Sequence, residues 1–364
     1  MRGTIQIAKF ANIPVLLHWS FGLIFVYVTY LSVSEGASWQ ATLVMNAFML
    51  LLYICVILHE YGHALMARKY GVDTKDIIMF PIGGVARLER IPEKPMQEFF
   101  IAIAGPMVNV VIALLLLPII LFWQPFKDII LGNADILNIS PMIIIPGLFV
   151  MNIVLVLFNM IPAFPMDGGR VLRSLLSLKL RRVRATQIAA ILGQIVAVGF
   201  FCYGIYNAQY MTSLIGVFVF FAARNEYRMV KTEALLKTYT VRDILQIQYS
   251  KISIEGTMAT PIAELKKGQE HNFLVFNEND KIVGVLHELF IAEAIKQNQH
   301  GAPIAEFTSR RFEFVSPDES LKNLLHKIQS KGYSILPVFE EGEVIGVVDN
   351  KGLEQILGKT ILKT

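Results

Sequence analysis

From Ala185 to Ala223 the chain carries no charged side chain, and this run is close to twice the length that one membrane crossing needs. A helix spans the hydrocarbon layer in about 20 residues. The polar Asn207-Ala208-Gln209 near the middle of the run predicts two spans joined by a tight turn. Phe99–Trp123 and Pro141–Met166 are likewise uncharged. Ala41–Leu58 is uncharged too, and its helical pattern continues to about Ala67. Pro14–Val33 is apolar apart from His18. Six spans are predicted. Only 17% of the chain is charged, against about 25% in an ordinary soluble domain. The deficit falls entirely on residues 1–223, whereas 224–364 read like a soluble chain. The expected fold class is an α-helical polytopic membrane domain of six transmembrane helices with a membrane-associated hairpin, followed by an α+β soluble domain pair. A collagen-like, disordered or disulfide-stapled protein is excluded, since Cys55 and Cys202 both sit inside apolar runs. A net charge of +4 is too small to indicate a nucleic-acid partner.

The loop charges orient the spans. With six crossings, one side holds Arg2, Lys9, Arg68, Lys69, Lys75, Arg87, Arg90, Lys94 and the six basic residues between Arg170 and Arg184. The other side holds only Lys127. The Lys/Arg-rich side faces the cytoplasm, so both termini are expected there. The first apolar segment is full length and lacks a small-x-small exit, so no cleavable signal peptide is expected. The chain reads as a multi-pass integral protein of a prokaryotic cell membrane, in contact with the lipid bilayer.

The soluble part contains a weak repeat. Phe273–Ile295 and Ser334–Leu357 both read as strand, turn, strand, helix, with Gly284 matched by Gly346. A plausible helix precedes each unit, Pro317–Ser330 in the second case, so two β-α-β-β-α units are implied. The expected organisation is a membrane domain over 1–223, a linker helix over 224–239 and repeats over 240–300 and 301–364.

The residues that carry chemistry begin with His59-Glu60-Tyr61-Gly62-His63. Histidines at i and i+4 project from one helical face, so both imidazoles can reach one Zn²⁺ while Glu60 remains able to act as a base. An ionisable cluster inside a membrane span is a functional site by default. Catalytic zinc usually takes a third protein ligand. Asp167 is the candidate, in Asn159-Met-Ile-Pro-Ala-Phe-Pro-Met-Asp167-Gly-Gly-Arg170, where two prolines break the helix and Gly168-Gly169 allow a sharp turn. The competing reading makes Asp167 the cap of a helix starting at Gly168.

These two motifs together resemble the site-2 protease family of intramembrane zinc metalloproteases. Phe80-Pro-Ile-Gly-Gly-Val85 and Ala104-Gly-Pro-Met-Val-Asn109 fit its pattern as well. The C-terminal repeat resembles the paired cystathionine-β-synthase (CBS) domains of one branch. The resemblance implies one Zn²⁺ per chain on His59, His63 and Asp167, Glu60 as catalytic base and Asn159 as a helper near the scissile carbonyl. It also implies single-span transmembrane proteins as substrates. Such a helix must unwind before attack, and Ile77–Ala86 reads as a membrane-inserted hairpin whose edge holds the unwound stretch as an added strand. An apolar loop packed on the bundle is the alternative. Gly83 and Gly84 of that hairpin, His18 and Asn109 are candidate substrate-binding residues. For His18 the simpler reading is an interfacial anchor, and for Asn109 an interhelical hydrogen bond.

Paired CBS domains often bind adenine nucleotides through a G-x-x-T-x-x-D pattern. Gly284-Val-Leu-His287-Glu-Leu-Phe290 and Gly346-Val-Val-Asp349-Asn-Lys-Gly352 each lack part of it. An adenine-nucleotide site is therefore left open beside a docking or homodimerising role. The expected function is an intramembrane zinc endopeptidase that cuts transmembrane segments near the cytoplasmic side in regulated intramembrane proteolysis. The alternatives are a CBS-gated channel or transporter, a catalytically dead adaptor, and a membrane zinc protease acting on soluble peptides.

Overall fold

The computed structural model describes residues 3–81, 83–89, 92, 94–121, 143–268, 270–350 and 352–353. Arg2, Arg90, Trp123, Lys127, Pro141 and the end of the second repeat beyond Leu353 lie outside the described residues. The chain divides into two compact units, Met1–Tyr227 and Arg228–Thr364.

The first unit opens with a hairpin, β1 (Thr4–Phe10) and β2 (Ile13–His18). A 3-10 turn, Trp19–Phe21, leads into α1 (Gly22–Ser34), followed by α2 (Trp39–Lys69), β3 (Thr74–Phe80) and β4 (Gly83–Leu88). Among the described residues five helices follow: α3 (Pro95–Leu121), α4 (Ile144–Asn159), α5 (Asp167–Leu176), α6 (Arg182–Tyr206) and α7 (Tyr210–Thr238), the last running past the end of the first unit. Among the described residues α2, α3 and α6 are long and apolar enough to cross a membrane, while Trp19–Ser34 and α4 are shorter apolar helices. The uncharged run from Ala185 breaks at Asn207–Gln209, with Ala208 at φ +55°. The helix after it does not stop at residue 223 but continues to Thr238.

Pro14–Val33 is not one helix. Its first five residues belong to β2, which pairs antiparallel with β1 and parallel with β3, in a four-stranded sheet of order β1-β2-β3-β4. A wholly apolar run has no period by which strand and helix can be told apart. The deciding factor is tertiary. Ile13, Val15, Ile77 and Met79 form one apolar layer with Tyr53, Tyr61 and Ala64 of α2. The Tyr61 hydroxyl donates to the Ile13 carbonyl at 2.9 Å, and that of Tyr53 to Pro81 at 2.5 Å. The sheet is thereby fixed to the helix that carries His59-Glu60-Tyr61-Gly62-His63.

α2 begins at Ser38, whose hydroxyl caps the Ala41 N–H, and ends in Arg68 and Lys69, which suit the negative end of the helix. It crosses α3 at very short range. A Cβ on Gly62 would lie 2.6 Å from the Ala104 carbonyl oxygen, so only glycine permits this approach.

In the second unit β5 (Lys251–Ser253), α8 (Ala259–Lys266), β6 (Phe273–Phe276), β7 (Ile282–Leu286) and α9 (Glu288–Lys296) form the first β-α-β-β-α repeat. After α10 (Ile304–Phe307), the second repeat has α11 (Leu321–Lys331), β8 (Ile335–Glu340) and β9 (Glu343–Asp349). A single parallel bridge, Val315 to Val338, stands where β5 stands in the first repeat. The two cores do not follow the sequence repeats strictly. Val241 and Ile244 pack with Leu324, Leu336 and Val348, while Ile304 packs with Ile252, Phe273 and Ile291.

Candidate metal centre

His59 and His63 lie one turn apart on the same face of α2 and are only 5% and 4% exposed. Their Nε2 atoms are 3.1 Å apart, and Asp167 Oδ2 is 3.1 Å from each. Among the described residues this is the one group of His, Cys, Asp or Glu with metal-site geometry.

The other ring nitrogens fix the chemistry of the three. His59 Nδ1 donates to Asn109 Oδ1 at 2.5 Å, and His63 Nδ1 donates to the Ile101 carbonyl at 2.7 Å. Asn109 Nδ2 in turn donates to Asn152 Oδ1 at 2.7 Å, and Asn152 Nδ2 to the Leu148 carbonyl at 2.8 Å. A chain ending on a backbone carbonyl leaves no freedom in the amide orientations. With the Nδ1 protons committed outward, both Nε2 lone pairs point at a carboxylate oxygen. Three acceptors facing one another in a buried site need positive charge between them, which one shared metal cation supplies. A tetrahedral ion with bonds of about 2.0 Å has ligand–ligand edges of about 3.3 Å, close to the spacing found here. Two imidazoles and one carboxylate, each ring held by an outer hydrogen bond, are the donor set and support that zinc takes. The residues fit the metal.

Asn109 therefore does more than join helices: it sets the His59 tautomer. Sequence reading missed the second α3 contribution. A Cβ on Gly105 would fall 2.2 Å from His63 Nε2 and 2.7 Å from His59 Nε2, so this glycine keeps the space between the ligands clear. Its four-residue spacing from Asn109 is the signal that was present, since both lie on one helical face.

Asp167 reaches the site because α4 stops at Asn159 and the chain runs irregularly through residues 160–166. It is the first helical residue of α5, Met166 being the N-cap. Its side chain engages the histidines rather than capping the helix. The role expected for Gly168-Gly169, a sharp turn, is not the one found, because neither has positive φ. A Cβ on Gly168 would lie 2.2 Å from the Ile161 carbonyl oxygen, and one on Gly169 2.6 Å from Ala163 C. The pair lets α5 press against the preceding segment.

Glu60 is half-buried, and its Oε2 accepts the Ala86 N–H at 3.1 Å. Ala86 lies on β4, an outer strand of the sheet. Gly84, on the same strand, would place a Cβ 2.8 Å from Glu60 Cγ. The expected hairpin forms, as the last two strands of the four-stranded sheet. Asp76 and Arg87 face each other across it, Nε donating to Oδ1 at 2.6 Å. Gly83, at φ +144°, has open space around its Cβ position. Neither His18 nor Asn159 is brought into the cluster. His18 bonds Ser20 Oγ at 2.7 Å and stacks near Phe80, and Asn159 closes α4 with no hydrogen bond to the three among the described residues.

In the second unit, His287 and Asp349, the residues three past Gly284 and Gly346, line one cleft with His271, Asn272, Ser334 and Asn350. His271 Nδ1 lies 2.9 Å from Glu288 Oε1.

The chain is similar to known proteins along its whole length. Residues 47–202 match peptidase family M50, and residues 304–354 match the CBS domain. A zinc metalloprotease of Methanocaldococcus jannaschii is 30% identical over 365 residues, covering 100% of this chain and 98% of its own. Stage IV sporulation protein FB of Bacillus subtilis is 25% identical over 65% of this chain and 80% of its own. A solved site-2 protease from M. jannaschii shares 36% identity over 62% of this chain and 95% of that chain, with a TM-score of 0.47. Such a site on such a scaffold defines a zinc metalloprotease. The chain belongs to peptidase family M50, the site-2 protease type, and carries a C-terminal CBS domain.

Proposed function

We propose that this protein is an intramembrane endopeptidase that hydrolyses peptide bonds in transmembrane segments of membrane proteins, near their cytoplasmic ends. The observation that carries the reading is the triangle that His59 and His63, on the long apolar helix α2, make with Asp167 at the start of α5, with Glu60 beside it under an outer β-strand. At about 1.5 Å per residue, His63 lies roughly 8 Å and His59 roughly 14 Å along α2 from Arg68, the basic residue that marks the cytoplasmic interface. In this reading the bundle makes six crossings, α1, α4 and α7 adding to the three long apolar helices, and both termini are cytoplasmic.

His59, His63 and Asp167 would hold the metal, which when bound would supply Lewis acidity and acidify water. The Glu60 carboxylate takes a proton from the attacking water and passes it to the amine that leaves. Ala86 orients Glu60 through its N–H, and Asn109 and Ile101 keep the histidine tautomers that ligation needs. A substrate helix offers no free carbonyl until it unwinds. The outer edge of β4 supports an added strand beside Glu60, with Gly83 leaving open space along it and Gly84 making room for the Glu60 side chain. Asn159 and His18 are proposed at the periphery, as oxyanion helper and channel lining. The second unit acts in regulation or dimerisation.

The test is cleavage of a panel of single-span helices and soluble peptides by the full-length protein and its Glu60→Gln variant, with zinc content measured in both. The variant should retain zinc and lose cleavage. Normal cleavage by that variant removes Glu60 from the role of base, and cleavage confined to soluble peptides contradicts the intramembrane substrate.

A further inference from the structure

Among the described residues Arg173 on α5 is the largest fully buried side chain, 2% exposed. Its Nε donates to Glu98 Oε1 at 2.7 Å and its Nη1 to Glu226 Oε1 at 2.8 Å. Glu98 is 5% exposed and also meets Arg182 Nη2 at 3.2 Å. The guanidinium carbon lies 4.8 Å from the centroid of the Phe164 ring. One side chain therefore grips three things at once: the start of α3, the helix α7, and the segment that leads into Asp167.

The placement of these grips matters more than their number. Glu98, Ile101, Gly105 and Asn109 follow one another at helical spacing on a single face of α3. The last three of them meet His63 and His59. Arg173 joins that face to α5, whose first residue is Asp167, and its contact with Phe164 fixes the approach to Asp167 from the other side. Buried ion pairs of this kind add little net stability, because desolvation of the charges offsets their attraction. A bidentate guanidinium fixes direction and distance in a way that a single ammonium cannot.

We propose that Arg173 is a positioning residue for the metal centre. It holds Asp167 at the distance from His59 and His63 that zinc requires, with Glu98 and Glu226 as its two anchors. The inference rests on the reading of His59, His63 and Asp167 as the ligand set.

The experiment measures zinc affinity of the full-length protein by competition with a chromophoric chelator, alongside kcat and KM on a transmembrane substrate. Native protein and His59→Ala are read first, and zinc bound equally by both sinks the ligand assignment before Arg173 is considered. Arg173→Gln is expected to weaken zinc binding about tenfold, the lower range for outer-layer supports of a metal site, and to lower kcat with KM unchanged. Arg173→Lys should fall between that variant and the native protein. Glu226→Gln strips one anchor of its charge while keeping an acceptor and leaves Glu98 intact, and serves if Arg173→Gln does not fold; it should weaken zinc binding by roughly threefold, part of the same effect. Native zinc affinity and kcat in folded Arg173→Gln, or native zinc affinity in Glu226→Gln where the first does not fold, overturn the proposal.

Discussion

Asp167 Oδ2 and His59 Nε2 lie 3.1 Å apart although 108 residues separate them in the chain. Neither atom carries a proton to share when His59 is neutral, because Asn109 takes the Nδ1 hydrogen. The contact is favourable only with positive charge between the two atoms. This gives the cluster a purpose that hydrogen bonding alone does not, and it makes the surrounding residues testable one by one.

Asn109→Leu removes the acceptor that sets the His59 tautomer and leaves the amide of Asn152 without its partner. Zinc affinity should fall by roughly 10- to 100-fold, measured by chelator competition, whereas Asn109→Asp keeps an acceptor and should lose less. Equal affinities in native protein and Asn109→Leu would show that the hydrogen bond does not support the site.

Gly105→Ala places a methyl group 2.2 Å from His63 Nε2. Alanine favours a helix over glycine by about 1 kcal/mol, so the helix itself should persist. Helical content should be unchanged by circular dichroism while zinc content and cleavage both collapse. Retention of stoichiometric zinc would contradict the placement of α3 against the histidines.

Gly84→Ala separates the base from the metal. The added Cβ meets Glu60 Cγ at 2.8 Å and pushes that carboxylate away from the Ala86 N–H. Zinc should remain bound, and kcat should drop at least tenfold, a fraction of the roughly 10²–10⁴ that a placed proton acceptor contributes. A variant that loses zinc instead would place β4 too close to the ligands.

His287 gives the second unit a pH dependence. Burial lowers its pKa below the usual 6.5, so the folded state resists the proton that the unfolded chain accepts. Its stability is thus full above about 6.5 and declines as pH falls through the lower folded-state value. Glu313 is also held below its usual value, by Lys331 and Lys327, so its own loss begins only under more acidic conditions. Thermal unfolding of the full-length protein should show a decline between pH 7 and pH 5 that His287→Gln flattens. An identical slope in the variant would refute the assignment.

Much of the site was legible because it is local. Histidines four apart around a glutamate dictate a shared helical face in any folded context, and the prolines before Asp167 announce a broken helix. What escaped sequence reading depends on packing between distant segments. Residues 13–18 look like the start of a span because an apolar run fits strand and helix equally. Their pairing with residues 77–79 rests on contacts some 60 positions away. Gly168-Gly169 read as a turn, yet the restriction comes from the carbonyl of Ile161. Gly105 and the Ile101 carbonyl contribute through the crossing of α2 with α3, an angle that no spacing within either helix encodes.

Zinc stoichiometry of the purified full-length protein, compared with Asp167→Ala, tests the central claim most directly. One zinc per native chain and a clear loss in the variant, with helical content preserved, is the predicted result. One zinc in both would remove Asp167 from the ligand set and with it the account of how the two motifs form a single site.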